Sequence, residues 1–435
     1  MFRPITAHTR ARTGCILAMV LSSLSHAAGP VSSLSFDEAL RLAQERSRQL
    51  AAQDAAASAA RQMAVAAGQR PDPTLKAGIN NLPIDGPDQF SLSRDFMTMR
   101  SIALMQEFTR ADKRKLRAAR FEREAEFAHA ARNLALTNLQ RSTALAWLDR
   151  HFQERIRTLL VQQRDEARLQ VEAAKAAYRG GRDSQTDIFA ARSSVEQIED
   201  RIAQADRQVA TAAIQLARWV GDVNHAALGA APVMDSVRIN PEALHAQLLH
   251  HPQIALMAKQ EEVAQADARI AQANKRADWS VELMVSQRGS AYSNMVSVNF
   301  SMPLQWGREK RQNRELAARL ATVQQLRAER EEIAREHLAE TQVMLQEWHS
   351  NRERLARYDS TLIPLVSERT HAAIAAYRGG VGTLKAVLDG RRDEAEIRTE
   401  RLRLEMDTAR LWAQLHYLIP SGQSVAPPPP RGIAQ

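Results

Sequence analysis

One hexapeptide occurs twice, about two hundred residues apart. Ala176-Ala177-Tyr178-Arg179-Gly180-Gly181 returns unchanged as Ala375-Ala376-Tyr377-Arg378-Gly379-Gly380. Each copy closes one long polar–apolar helical run and precedes another. The chain therefore reads as two copies of one unit, and every local assignment must hold for both. With only 17 glycines and 16 prolines in 435 residues, long helices are expected over a compact mixed fold.

The unit opens on an amphipathic helix. In the first half it spans 36–67, with Asp37 and Glu38 in its first turn and Gly68 after its last. In the second half it runs from Pro241 to about Ala273. The period then changes to two. Trp279, Val281, Leu283 and Val285 point one way; after a polar turn (288–294), Val296, Val298, Phe300 and Met302 share a face opposite Ser297, Asn299 and Ser301. Such alternation on both sides of a turn is the pattern of a membrane β-hairpin. Trp279 and Trp306 fall at one end of it, as interfacial girdle residues do, with Phe108 as the corresponding aromatic of the first half. The first-half hairpin, Thr74–Asn80 and Met97–Phe108, alternates less cleanly: Ile102 and Leu104 fall opposite Ala103 and Met105.

Each hairpin empties into basic residues, 110–114 and 308–311, and then into a helix. Lys113 to Ala177 contains neither Gly nor Pro, so at 1.5 Å per residue this helix is on the order of 95 Å long. Its second-half equivalent is interrupted by Pro364, which predicts a local kink. Gly180-Gly181 and Gly379-Gly380 are expected as left-handed C-caps. Ser184 with Asp187, and Thr383 alone, are expected as N-caps of the returning helices, 184–220 and 383–418. The resulting division is a first repeat over 28–220, a linker over 221–240, a second repeat over 241–420 and a disordered Pro-rich tail over 421–435.

Residues 1–27 read as a cleaved export signal. Arg3, Arg10 and Arg12 precede an apolar run from Cys15 to Leu24, and Ser25-His26-Ala27 supplies the small residues before the cut. Arg12 stands where lipid attachment at Cys15 would need an aliphatic residue. No later segment has eighteen consecutive apolar residues, so no membrane-spanning helix is expected. The net charge of +9 does not imply nucleic acid, because basic residues are interleaved with acids; Glu331 and Arg335, four apart, form a favourable helical pair. His245, His250 and His251 have spacings unsuited to a one-face metal site. Met97, Met99 and Met105 could suit a soft metal, but methionine also fills barrel walls. No nucleophile–base pair, phosphate loop or paired-carboxylate site appears, so neither an enzyme nor a cofactor is expected.

Four candidate strands cannot close a barrel, and an open edge in hydrocarbon leaves backbone groups unpaired at several kcal/mol each. The chain is thus expected to pool strands with copies of itself. Two copies give eight strands and a filled interior, while three give twelve and a passage. The expected fold class is mainly α with membrane β, the long helices continuing the tube.

The duplicated hairpins, the two Tyr-Arg-Gly-Gly tips and Val387-Leu388-Asp389 resemble the TolC family of outer-membrane efflux factors over about Leu34 to Gly422. Met97 to Phe108 is similar to the heavy-metal cation efflux branch. The resemblance implies a homotrimer in the outer membrane of a Gram-negative bacterium, with a twelve-stranded β-barrel and a periplasmic α-barrel. It also implies docking onto a periplasmic adaptor and an inner-membrane pump of RND type. The docking tips would be Tyr178, Arg179, Gly180 and Gly181, and Arg378, Gly379, Gly380, Val381, Gly382 and Thr383. Carried over by position, Tyr377 matches the family's tip tyrosine, Asp389 one of two pore acids and Asp187 an acid of the first hairpin. Gly382 and Ala386 stand where the family prototype has an arginine and the other acid. The alternatives are a conduit for type I protein secretion and a periplasmic coiled-coil adaptor.

Overall fold

The computed structural model describes residues 33–182, 184–221 and 226–419. The expected signal segment with Cys15, the Pro-rich tail and part of the linker lie outside the described residues.

Ser35 starts α1 (Phe36–Arg46) by accepting a hydrogen bond from Glu38 N, and Arg41 pairs with both Glu38 and Glu45 along the helix. The single opening helix expected over 36–67 is in fact two. Ser47 adopts an extended conformation and its hydroxyl caps α2 (Arg48–Gly68) at Leu50 N. The second half breaks similarly: a 3-10 turn (Pro241–Ala243) and α5 (Leu244–Leu248) precede α6 (Pro252–Ala273). There His251 Nδ1 accepts from Gln253 N at 3.3 Å, and Pro252 occupies the first turn, where its missing N–H has no intrahelical partner to lose.

Four strands follow these helices: β1 (Thr74–Asn80), β2 (Met99–Phe108), β3 (Trp279–Gln287) and β4 (Met295–Ser301). They form one antiparallel sheet in the order β1-β2-β3-β4. The second strand starts at Met99 rather than Met97, because Asp95 Oδ2 takes up the N–H groups of Met97 and Thr98 at 2.9 and 2.8 Å. Those donors are diverted from the ladder.

Beyond the sheet run α3 (Ala111–Arg179) and α4 (Gln185–Val220), and in the second half α7 (Gln312–Arg357), α8 (Ile363–Arg378) and α9 (Leu384–His416). The 69 residues of α3 extend about 100 Å. Near the sheet the helices lie in the order α2-α3-α6-α7, and toward the tips in the order α4-α3-α9-α8. The upper order repeats the strand order, since β1 follows α2, β2 leads into α3, β3 follows α6 and β4 leads into α7. Sheet and helices are thus one continuous wall.

The wall has its apolar belt partway along. Trp147, Leu148 and Phe152 of α3 are fully buried against Phe36, Leu216, Trp348, Trp412 and Leu415. Phe36 meets Trp147 edge-on at 5.5 Å. Of the three indole donors in this belt, Trp147 Nε1 donates to Leu34 O and Trp412 Nε1 to Ser236 O, which binds the N-terminal segment and the inter-repeat connection to the helices, while the buried Trp348 Nε1 has no acceptor among the described residues. Truncating Trp147 to Ala would cost about 3–5 kcal/mol.

Toward the tips, smaller apolar clusters are flanked by ion pairs between helices. Arg157 meets Asp206 and Arg168 meets Glu199 between α3 and α4; Arg391 meets Glu166 between α9 and α3; Arg369 meets Asp393 between α8 and α9. The expected Glu331–Arg335 pair is not formed; Arg335 pairs with Glu332, three residues before it. Pro364 acts through the turn ahead of it. Residues Tyr358–Leu362 form a π turn between α7 and α8, the geometry that accommodates a missing donor within a continuing helix. Tyr358 Oη donates to Glu400 and Arg401 grips Asp359 through two bonds at 2.8 and 3.1 Å, tying that turn to α9.

Candidate membrane wall and tip turns

The register gives the sheet two different faces. Directly paired residues share a face, so Leu75, Leu104, Leu283 and Val298 form one row across all four strands. Ile102, Val285 and Val296 form a second row beside it. All are exposed, from 49% at Leu283 to 71% at Leu75. A water-facing surface would not keep so large a contiguous apolar patch. Ile102 and Leu104, whose alternation is ambiguous in sequence, lie on this apolar face.

An aromatic row closes one end of it. Phe108 stacks on Trp279 with ring centres 4.2 Å apart and planes 14° from parallel, and Trp279 lies 5.7 Å from Phe300. Trp306 follows just past β4 at the same end. Phe108, Trp279 and Phe300 thus lie together at one end of the sheet, with Trp306 in the turn beyond β4.

The opposite face is polar. It carries Lys76, Asn80, Ser101, Ser280, Glu282, Ser286, Ser297, Asn299 and Ser301, interspersed with Met99, Met105, Met284 and Met295. Lys76 Nζ lies 2.5 Å from Glu282 Oε2, and Asn299 Nδ2 donates to Glu282 Oε1 at 3.3 Å. Of the methionines noted in sequence, Met99 and Met105 sit on this face, while Met97 lies in the preceding loop. The outer edges of β1 and β4 carry seven residues each and pair with no strand among the described residues.

At the opposite end of the long helices are the two tips. Each helix ends in a Schellman turn. Gly181 N donates to Tyr178 O and Arg182 N to Ala177 O; Gly380 N donates to Tyr377 O and Val381 N to Ala376 O. Only the second glycine of each pair is left-handed, Gly181 at φ 71° and Gly380 at φ 75°; Gly180 and Gly379 have negative φ, a correction to the expectation for both. The two tips differ beyond that point. Gly382 turns back so tightly that a Cβ there would lie 2.8 Å from Tyr377 N and 2.9 Å from Ala376 C. A side chain at 382 would therefore force this turn to move.

The tip side chains are not equivalent either. Tyr178 is exposed, whereas Tyr377 is half-buried against a small core of Val171, Ala174, Ala191, Val195, Leu384 and Val387. Thr383 caps α9 at Ala386 N. Asp187 completes a capping box with Ser184, taking Ser184 N at 2.9 Å and Ser184 Oγ at 2.6 Å. Those bonds hold its carboxyl below the usual carboxylate range, the hydroxyl contributing most. Asp389 is exposed on α9 and makes no hydrogen bond or ion pair among the described residues. Arg179, Arg378 and Val381 are exposed.

The histidines lie elsewhere. His245 and His250 are exposed, while His251 is buried with its ring 4.2 Å from that of His337, across α6 and α7. Desolvation, followed by the neighbouring His337 and Arg141, lowers its pKa to about 4. No local pattern marks this pairing, since eighty-six positions separate the rings. Among the described residues, no group of three His, Cys, Asp or Glu is placed to hold a metal ion, and no helix is long and apolar enough to cross a membrane.

No family model and no curated protein matches the sequence. Solved structures do match the fold. The outer membrane protein VceC of Vibrio cholerae is similar with a TM-score of 0.71 at 17% identity, over 88% of this chain and 95% of that one. CusC, described in terms of folding and transmembrane channel formation, gives 0.72 at 15% over 88% and 92%. The open state of the MtrE outer membrane channel of Neisseria gonorrhoeae gives 0.70 at 17% over 88% and 88%. The chain thus has the TolC-like fold of these channels: mainly α, with four β-strands and two long helical hairpins.

Proposed function

We propose that this chain is the outer-membrane channel of a tripartite efflux system and a member of the TolC family. Three copies pair β4 of one with β1 of the next, closing a twelve-stranded barrel whose apolar face meets lipid and whose polar face lines the passage. The long helices continue the tube into the periplasm. The tips dock onto a periplasmic adaptor that links the channel to an inner-membrane pump of RND type. The chain is a passive conduit; the pump supplies the energy.

One observation carries this reading: a single sheet with one face apolar apart from Gln106 and the end pair Arg100 and Gln287, one polar face and two open edges continues strand by strand into a wall of long helices. Open edges are untenable in hydrocarbon, whereas a polar lining is what an aqueous passage requires. Asp389, exposed near the second tip, is proposed as a pore-facing acid, with Asp187 and Tyr377 as gate contacts. The cargo proposed is heavy-metal cations. Support comes from four thioethers on the polar face, Met99, Met105, Met284 and Met295, soft ligands that suit soft cations.

The test has two parts. Purified protein in planar bilayers should give discrete conductance steps, and Asp389→Asn should raise the closed-state leak and weaken cation preference. Steps unchanged in size and selectivity would remove Asp389 from the pore. Deleting the protein from its host should raise sensitivity to zinc, cobalt, cadmium, copper or silver; unaltered tolerance to all five would remove the metal assignment.

A further inference from the structure

Both halves place basic residues just past a strand, at the level of the aromatic row, yet their surroundings differ. In the first half Arg110, Lys113 and Arg114 are engaged within the chain, and Lys115 just beyond them is exposed. Arg110 Nε donates to Asp112 at 3.2 Å, Lys113 is 4% exposed with Nζ 2.8 Å from Asp278, and Arg114 Nη1 reaches Gly68 O at 3.4 Å. In the second half, Arg308, Lys310, Arg311 and Arg314 are all exposed, and their side chains make no hydrogen bond or ion pair among the described residues. Trp306 beside them is 89% exposed.

The backbone gathers these cations into one place. Lys310 N and Arg311 N both donate to Gly307 O, at 3.1 and 3.0 Å, and Asn313 N donates to Arg308 O at 2.8 Å. The turn winds directly into the 46-residue α7, whose N-cap, Arg311, offers no side-chain acceptor. The positive end of a long helix dipole therefore adds to the four cations. Glu309 and Glu315 are the only acids from 306 to 315, so four positive charges less two negative leave an excess of two. Charge of one sign beside a bare indole, at the border of an apolar sheet face, calls for a partner that is anionic at one end and apolar at the other.

We infer that the turn from Trp306 to Arg314 is a headgroup site for anionic phospholipid. Arg308, Lys310, Arg311 and Arg314 bind the phosphate, and Trp306 packs against the glycerol and upper acyl chains. The inference rests on the membrane assignment of the sheet. The competing occupant is the adjacent copy in a ring, because β4 is an edge strand.

Full-length protein reconstituted in phosphatidylcholine vesicles with a minor fraction of phosphatidylglycerol distinguishes these cases. Bromine is carried on the chains of one lipid or the other, and tryptophan quenching is read. Brominated phosphatidylglycerol should quench at least about threefold more per molecule than brominated phosphatidylcholine, given roughly 1 kcal/mol per basic residue at a charged surface. Trp306→Phe should remove most of the difference. The combined Arg308→Gln, Lys310→Gln, Arg311→Gln and Arg314→Gln variant should bring the ratio to about one while phosphatidylcholine quenching persists. A wild-type ratio near one with phosphatidylcholine quenching intact overturns the lipid site alone. A neutralised variant that loses its oligomer yet keeps the wild-type ratio assigns the cations to the neighbouring copy and overturns it too. Absence of quenching by either lipid overturns the membrane assignment beneath it.

Discussion

Placing one arginine on each face of the sheet separates a membrane wall from a soluble one. Leu283 is the middle residue of the nine in β3, and its row includes Leu75, Leu104 and Val298. If the apolar face meets lipid, Leu283→Arg puts a guanidinium near the bilayer midplane, at about 2–4 kcal/mol per copy. Three copies share the penalty in a ring, so assembly loses on the order of 6–12 kcal/mol if the sites act independently. That rivals the whole stability of an ordinary domain. Ser297→Arg provides the matched control, one residue from Val298 but on the polar face, where water solvates the charge and the cost is roughly 1 kcal/mol or less. The assay is refolding from urea into preformed vesicles, scored as the inserted, protease-protected fraction. Leu283→Arg should nearly abolish insertion and Ser297→Arg should leave it close to wild type. Equal insertion of both variants, or a larger loss for Ser297→Arg, refutes the assignment of the two faces.

Three further outcomes follow from local geometry. His251 is buried and its pKa is lowered to about 4, so the folded state binds fewer protons than the unfolded one between that value and the ordinary 6.5. Its contribution is present in full above about pH 6.5 and is lost as pH falls toward 4, on the order of 3 kcal/mol. His251→Asn keeps an acceptor for Gln253 N and should flatten the melting temperature between pH 7 and 5; unchanged acid sensitivity would assign it to other groups, among them His416 at the end of α9, whose pKa burial also lowers to about 4. Gly382→Arg must open the second tip, and a cost of about 1–3 kcal/mol should appear as faster proteolysis at 379–383, with the first tip unaffected. The strands carry Lys76, Glu107 and Glu282 on the polar face, a net charge of minus one per chain. Glu282→Gln brings that to zero and should reduce cation preference in single-channel recordings, with little change in stability because Lys76 is half-exposed; an unaltered reversal potential would place this face away from the passage.

Much of this was legible in the sequence because two periods and a few caps carried it. β1 spans Thr74–Asn80 as read, and strict alternation marked β3 and β4 to within a residue. Ser184 with Asp187 and Thr383 cap as their spacing required. The misses share a physical origin. Ser47 lies in a run that continues helically on either side, so its choice to cap depends on how α1 and α2 pack on α3, and a single strand of sequence does not encode that. Asp95 shortens β2 through side-chain bonds that compete with the ladder. Pro364 was visible as a defect, but a π turn at 358–362 cannot be distinguished in sequence from a simple kink, because both answer the same missing donor. In the glycine pairs only one residue needs positive φ, and the letters do not say which. The cation turn was visible as a basic run; its lack of partners became apparent only once the first-half cations were seen with theirs.

The central claim, that β1 of one copy pairs with β4 of another, is tested most directly by disulfide formation. Within one chain β1 and β4 are separated by two intervening strands, hence by about 14 Å, whereas a disulfide needs Cα atoms within roughly 7 Å. Ala77→Cys combined in turn with Val296→Cys, Val298→Cys or Phe300→Cys should give, for at least one pairing under oxidising conditions, a covalent species three chains in mass that reverts to one chain on reduction. Uncrosslinked chains for every pairing, or cross-links confined to a single chain, would contradict the account.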